Sequence, residues 1–259
     1  MAAKEFYAHP RQISDVTECE FYHTMDLPGI GTVNGSWDLR GRIHDYIGGI
    51  PVRGRRILDL GAANGFCSFD VEKLGAQVVS FDAESATLFE NLPIPGALFT
   101  DDYQSWLCSA ERRLDRLKNG YWLAHRLQHS SARAYYGDIY HVPDALGTFD
   151  IVLVGQVLVH LRDPIAALQQ AAARSSDTLV ITEAVADADQ PVMRLCGTVA
   201  NGVSYAWFHL SRAFYREMLL MFGFELVQIT QAEYICSHSG YPEAMPLTTL
   251  VARRRSSAP

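Results

Sequence analysis

Up to residue 50 the apolar positions are irregular. Turn signals cluster in DLPGIGTVNGSWD, at Pro28, Gly29, Gly31, Asn34 and Gly35. From residue 55 the pattern becomes regular. RRILDL reads as a buried strand and NGFCSFDVEKLGA as a helix ending near Gly75. QVVSFDA, ARAYYGDI and TFDIVLVGQVL follow as further strands, the last with the near-continuous apolar run of a parallel sheet. DPIAALQQAAARS is a helix with Asp163 as N-cap and Pro164 in its first turn. DTLVITEA is a fifth strand, SRAFYREMLLMFGF a helix, and ELVQITQAEYI and MPLTTLVARR two closing strands.

Strands alternating with helices predict an α/β fold with a parallel sheet and right-handed crossovers. The two successive strands at the end predict a terminal hairpin on that sheet. Two segments exceed a minimal domain of this kind. Residues 91–132 predict one or two helices, and residues 184–210 separate the fifth strand from the next helix. With residues 1–50 they are expected to cap the C-terminal edge of the sheet, where open α/β sheets bind ligands. The expected division is a cap or lid segment over 1–50 and a main domain over 51–259.

Composition narrows the function classes. The 259 residues are 48% hydrophobic and 20% charged, ordinary for a globular enzyme. No apolar run reaches the ~18 residues of a membrane helix. MAAKEFYAHP lacks the apolar core of a secretory signal. Five scattered cysteines without a C-x-x-C argue for reduced thiols, a cytoplasmic location and no zinc site. No compact Asp, Asn and His set points to a divalent metal, so none is expected. The net charge of −7 disfavours a broad phosphate-binding surface. The expected partner is a small-molecule acceptor, not nucleic acid or membrane, with a homo-oligomer left open.

The chemistry concentrates at strand ends. LDLGAANGF places Asp59, Gly61, Ala63 and Gly65 in a strand–turn–helix context. Small residues there serve a tight turn, or let a ligand lie against bare backbone. The second strand ends in Asp82-Ala83, a carboxylate placed to accept both ribose hydroxyls of a nucleoside. The third ends in Asp138-Ile139, suited to an adenine edge and face, and the fourth in Gly155-Gln156. Polar or small residues at four consecutive strand ends are consistent with one adenosine-type site. A dinucleotide would ask for G-x-G-x-x-G, and here the spacing is G-x-x-x-G.

These motifs resemble those of the class I S-adenosylmethionine-dependent methyltransferases over about residues 52–252. Ala63 stands where that family often has Gly. The resemblance implies a Rossmann-like, seven-stranded sheet with helices on both faces and a helical cap. It also implies S-adenosyl-L-methionine as cofactor.

A narrower resemblance lies in EFYHTMDLPGIGTVNGSWD, YHVPDALGTFDIVLVGQVLVHLRDPIAAL and WFHLSRAFYREMLLMFGFE. They are similar to the branch containing the tRNA wobble-uridine 5-carboxymethoxy methyltransferases and their natural-product relatives. This resemblance implies Trp37 as a cofactor-side aromatic and His23 as an active-site residue. Two departures count against a carboxylated cofactor. Residues 18–23 contain no Lys, and Val159 replaces the Tyr before the His that follows the fourth strand. A cofactor carboxylate would then be buried without partners, which is costly. Ordinary S-adenosylmethionine and methyl transfer to a hydroxyl or amine, in secondary metabolism, are therefore expected, with tRNA modification as the alternative.

A hydroxyl acceptor must lose a proton, so a base is expected. His160 lies just past the fourth strand, and it reads equally as a base or as a turn-stabilising histidine. His23 and His209 have the same two readings. Tyr22, Trp37, Tyr205, Trp207 and Phe208 either line an apolar acceptor pocket or bury the cap.

Overall fold

The computed structural model describes residues 6–88, 103–196, 206–237 and 240–255. In chain order the elements are β1 (Met25–Leu27), β2 (Gly31–Val33), β3 (Trp37–Asp38), α1 (Ile43–Tyr46), β4 (Arg56–Leu60), α2 (Phe66–Lys73) and β5 (Gln77–Ala83). Then come α3 (Tyr103–Leu127), β6 (Arg133–Gly137), β7 (Phe149–Gly155), α4 (Pro164–Arg174), β8 (Ser175–Glu183), β9 (Met193–Leu195) and β10 (Phe208–Leu210). The chain closes with α5 (Arg212–Met221), β11 (Phe224–Cys236) and β12 (Glu243–Arg254).

One sheet of eight strands, in the order β3-β11-β12-β8-β7-β4-β5-β6, organises the molecule. All seven predicted strands are in it. The eighth, β3, is a two-residue edge piece that pairs Trp37 and Asp38 with Cys236 and Ile235. Strands β4 to β8 are parallel, and β12 runs antiparallel to both β8 and β11. The predicted terminal hairpin is present, because no crossover helix separates β11 from β12. The chain leaves β4 toward β5 on one side, and β7 leads to β8 on the other. The topological switch point therefore lies between the C-terminal ends of β4 and β7, where such sheets bind ligands.

Alternation along the strands sends side chains to two cores. Ile57, Val78, Ile151, Leu153, Val180 and Val251 pack with α2, α3 and the N-terminal segment. Leu58, Val79, Val152, Val154, Leu179 and Leu250 pack with α4 and α5. Helix α4 starts as its sequence predicts: Asp163 Oδ1 accepts from the Ala166 N–H at 2.9 Å, with Pro164 in the first turn. In the 91–132 segment one helix, α3, is described.

The N-terminal segment holds the β1–β2 hairpin, β3 and the single turn α1. Its stretch through residues 11–24, here termed the strap, is lashed to α3. Arg11 Nη1 donates to Asp115 Oδ1 and Asn119 Oδ1 at 2.7 Å, and Arg116 Nη2 to the Cys19 carbonyl at 2.7 Å. In the 184–210 segment, β9 and β10 pair antiparallel, and Trp207 N–H donates to the Val159 carbonyl at 2.6 Å. None of the described helices is long and apolar enough to cross a membrane.

Candidate active site

The turn after β4 is bare for a mechanical reason. Gly61 (φ +83°) and Gly65 (φ +80°) lie in the left-handed region. A Cβ at Gly61 would fall 2.2 Å from Val157 Cγ2, and one at Gly65 would fall 2.5 Å from the Phe69 ring. The same bareness exposes backbone at the switch point, so the mechanical and chemical readings hold together. Ala63 also has positive φ, at 47°. Its N–H donates to Asp82 Oδ2 at 2.5 Å, while Oδ1 accepts from the Ala83 N–H at 2.7 Å. Burial raises the Asp82 pKa, and these two backbone donors pull it back down. Each carboxylate oxygen has capacity for another donor. Asp138 caps the next strand end: Oδ1 accepts from the Tyr140 N–H at 2.9 Å, and Oδ2 sits 2.7 Å from His141 Nδ1. Ile139 beside it packs against the core on the α4 side.

Beyond β7 the chain turns sharply. A Cβ at Gly155 would lie 2.4 Å from Tyr46 Oη, so glycine lets α1 close over the strand end. Gln156 has φ +53°, and its N–H donates to the Thr182 carbonyl at 2.8 Å. Glu183, fully buried at the end of β8, holds the next two residues. Its Oε1 accepts from the Val157 and Leu158 N–H groups, both at 2.8 Å, while Oε2 has no partner. Burial pushes this carboxyl up to about 8 against those hydrogen bonds.

Between the ends of β4, β7 and β8 lies a crevice lined by His23, Tyr46, Asp59, Gly61, Gly155 and Thr182 among others. His23 is buried, and its Nδ1 has no hydrogen-bond partner. Burial alone drives its pKa down to about 4, so the ring is neutral at pH 7. Asp59 is pushed up to about 6 by burial, opposed by the hydroxyl of Ser68 at 2.6 Å. Ser68 in turn meets Ser80, which accepts from Tyr121. Asp59 thus roots the turn in the core as well as lining the crevice.

The structure brings His23, Asp59, Gly61 and Gly155 to one crevice, with Ala63, Gly65, Asp82 and Ala83 in and beside the turn at its edge. His160 ends the turn after β7, where its N–H donates to the Val157 carbonyl at 3.0 Å, and it does not line the crevice. His209 lies on β10 opposite Arg194, and burial first and that arginine second lower its pKa. Trp37 is in the core, where its backbone accepts from the Thr24 N–H at 2.7 Å and stiffens the chain on either side of His23. Trp207 stacks under Arg162 at 5.4 Å, Phe208 packs on the α4-side core, and Tyr205 lies outside the described residues.

Three residues of the site escaped sequence reasoning. Tyr46 carries no local signal, and Asn64 reads only as a helix start. Glu183 did carry one: an acid closing a run of buried strand residues is expensive unless something holds it.

A family model described as a methyltransferase domain matches residues 38–229. The chain belongs to the methyltransferase domain family. This methyltransferase domain is similar to the N-terminal domain of EvdMO1, crystallised with S-adenosylhomocysteine bound: 20% identity, 90% of each chain covered, TM-score 0.51. It is also similar to the Burkholderia thailandensis 1,6-didemethyltoxoflavin-N1-methyltransferase, crystallised with 1,6-didemethyltoxoflavin and S-adenosylhomocysteine. There the identity is 16%, the coverage 83% of this chain and 75% of that one, and the TM-score 0.47. No curated protein sequence matches significantly.

Proposed function

We propose that this protein is an S-adenosylmethionine-dependent methyltransferase acting on a hydroxyl or amine of a small molecule, in secondary metabolism and in the cytoplasm. The observation that carries this reading is the arrangement at the switch point. A turn with bare, left-handed backbone meets a strand-tip carboxylate, Asp82, and a crevice continues past Gly155 to His23. These residues fit the cofactor. Asp82 would hold the ribose hydroxyls, Ala83, Asp138 and Ile139 the adenine, and the backbone from Gly61 to Gly65 with Gly155 and Gln156 the amino-acid end. When bound, the cofactor supplies an electrophilic methyl group on a sulfonium.

The chain's own task is to hold the acceptor, exclude water and take up its proton. A hydroxyl oxygen becomes strongly acidic as it gains a methyl group, so a weak base suffices. His23 meets that need: it is neutral at pH 7, and its Nδ1 is without a partner. His160, on the turn after β7, and His209, on β10, are the other groups to test as bases. Acidic net charge favours a small acceptor over tRNA, and the absence of Lys from residues 18–23 favours ordinary S-adenosylmethionine over a carboxylated cofactor.

The test has two arms. Calorimetry with S-adenosylhomocysteine is expected to show stoichiometric binding, and labelled methyl transfer is assayed on hydroxyl and amine compounds and on bulk tRNA. Absence of binding overturns the cofactor assignment, and transfer confined to tRNA overturns the acceptor class. With an accepted substrate, His23→Ala is expected to slow transfer by about 10²–10⁴-fold at unchanged cofactor affinity.

A further inference from the structure

Asn64, between Ala63 and Gly65 in the turn after β4, is fully buried. A buried amide is costly unless its polar atoms are satisfied. Its side-chain bonds all leave the turn. Nδ2 donates to the Glu20 carbonyl at 2.7 Å and to the Leu117 carbonyl of α3 at 3.1 Å, and Oδ1 accepts from the Tyr22 N–H. Tyr22 immediately precedes His23. On its other side the same stretch is pinned by Trp37, whose N–H donates to the Tyr22 carbonyl at 3.0 Å.

A second observation points to the same contact. Gly120 lies inside α3, where glycine costs about 1 kcal/mol relative to alanine. A Cβ there would fall 2.5 Å from the Glu20 carbonyl oxygen and 2.7 Å from Asn64 Nδ2. The helix is bare where the strap and the turn meet.

We propose that Asn64 is a positioning residue for His23: it ties the strap to the cofactor turn, so that ligand seating on the turn and placement of His23 are coupled. The coupling rests on the function proposed above. The path is short, running from Asp82 through the Ala63 N–H to Asn64, then to the Tyr22 N–H and His23.

Hydrogen exchange of residues 20–24 in the full chain, with and without S-adenosylhomocysteine, tests this alongside calorimetry with the same probe. In the unmodified protein the ligand should slow exchange across 20–24. Asn64→Ala should speed it by about tenfold without ligand, as expected for losing one or two hydrogen bonds, and weaken ligand binding by a similar factor. Added ligand should no longer protect the segment. Gly120→Ala keeps Asn64 and improves helix propensity, and it should loosen 20–24 in the same way. It keeps the proposal testable if Asn64→Ala does not fold. Ligand binding with wild-type exchange at 20–24 in the folded variants overturns the coupling alone. Failure of the unmodified protein to bind the probe overturns the proposed function, and the coupling with it.

Discussion

Replacing Gly61 with alanine probes the turn most directly, and its cost divides into two parts. A non-glycine residue held in the left-handed region costs roughly 1–2 kcal/mol. The new Cβ would also sit 2.2 Å from Val157 Cγ2, and forcing an extra carbon into a packed site costs about 1–3 kcal/mol. Together they predict a loss of about 2–5 kcal/mol, or a fall in Tm of roughly 4–20 °C for a chain of this size. Gly54 separates the parts: its φ is +73°, but a Cβ there meets nothing within 4 Å. Gly54→Ala should therefore cost only the backbone part. Trimming the obstacle should recover the packing part, so that Gly61→Ala with Val157→Ala is more stable than the sum of the two single changes by about 1–3 kcal/mol. Urea denaturation with a constant m-value measures all four proteins. If Gly61→Ala is no worse than Gly54→Ala, or the pair is strictly additive, steric exclusion by Val157 is not why the turn is bare.

Asp82→Asn keeps one acceptor oxygen and should weaken S-adenosylhomocysteine binding by about 10–100-fold in calorimetry, the scale of a charge-assisted hydrogen bond; an unchanged Kd removes it as the ribose carboxylate. Burial lifts the Glu183 carboxyl to about 8 in the folded state, above the ordinary 4.5, so the folded state binds more protons between those values and stability falls as pH rises through that window. Glu183→Gln, which keeps a carbonyl for the Val157 and Leu158 N–H groups, should flatten that fall in denaturation midpoints from pH 5 to 8; an equally steep fall places the titration elsewhere. Gly35→Ala should be strongly destabilising, since its Cβ would lie 2.4 Å from the His23 carbonyl carbon, and wild-type melting would refute that packing. In a native thiol titration exposed Cys108 should react quickly, while buried Cys19, Cys67 and Cys236 should react only on unfolding.

Strand positions were legible because parallel strands buried on both faces carry apolar runs no surface helix would tolerate. DIVLVG and TLVITE are of that kind. Helix α4 was legible because Asp163 and Pro164 are local signals whose hydrogen bonds close within one turn. The two-residue β3 was not, since its pairing depends on Cys236 and Ile235 far along the chain. Glycines were visible as a motif, but what each avoids was not: Val157 opposes Gly61, and Tyr46 opposes Gly155. Asn64 looked like a helix start, and its partners lie 42 to 53 positions away. The histidines show the same limit. His160 was visible from its place after β7, but nothing local showed that the strap carries His23 into the crevice.

The long-range partners of residues 37–48, which follow the strap, also bear on how the molecule assembles. Trp37 waits for Cys236, the Tyr46 carbonyl for the Thr182 hydroxyl, and the Gly48 carbonyl for the Gln228 amide. On the ribosome residues 37–48 emerge before those partners and cannot settle until nearly everything up to Cys236 has been made. Loop closure over such separations is slow, so residues 37–48 should dock last. A chain stalled there would have a formed sheet and a crevice still open on the side that Tyr46 closes.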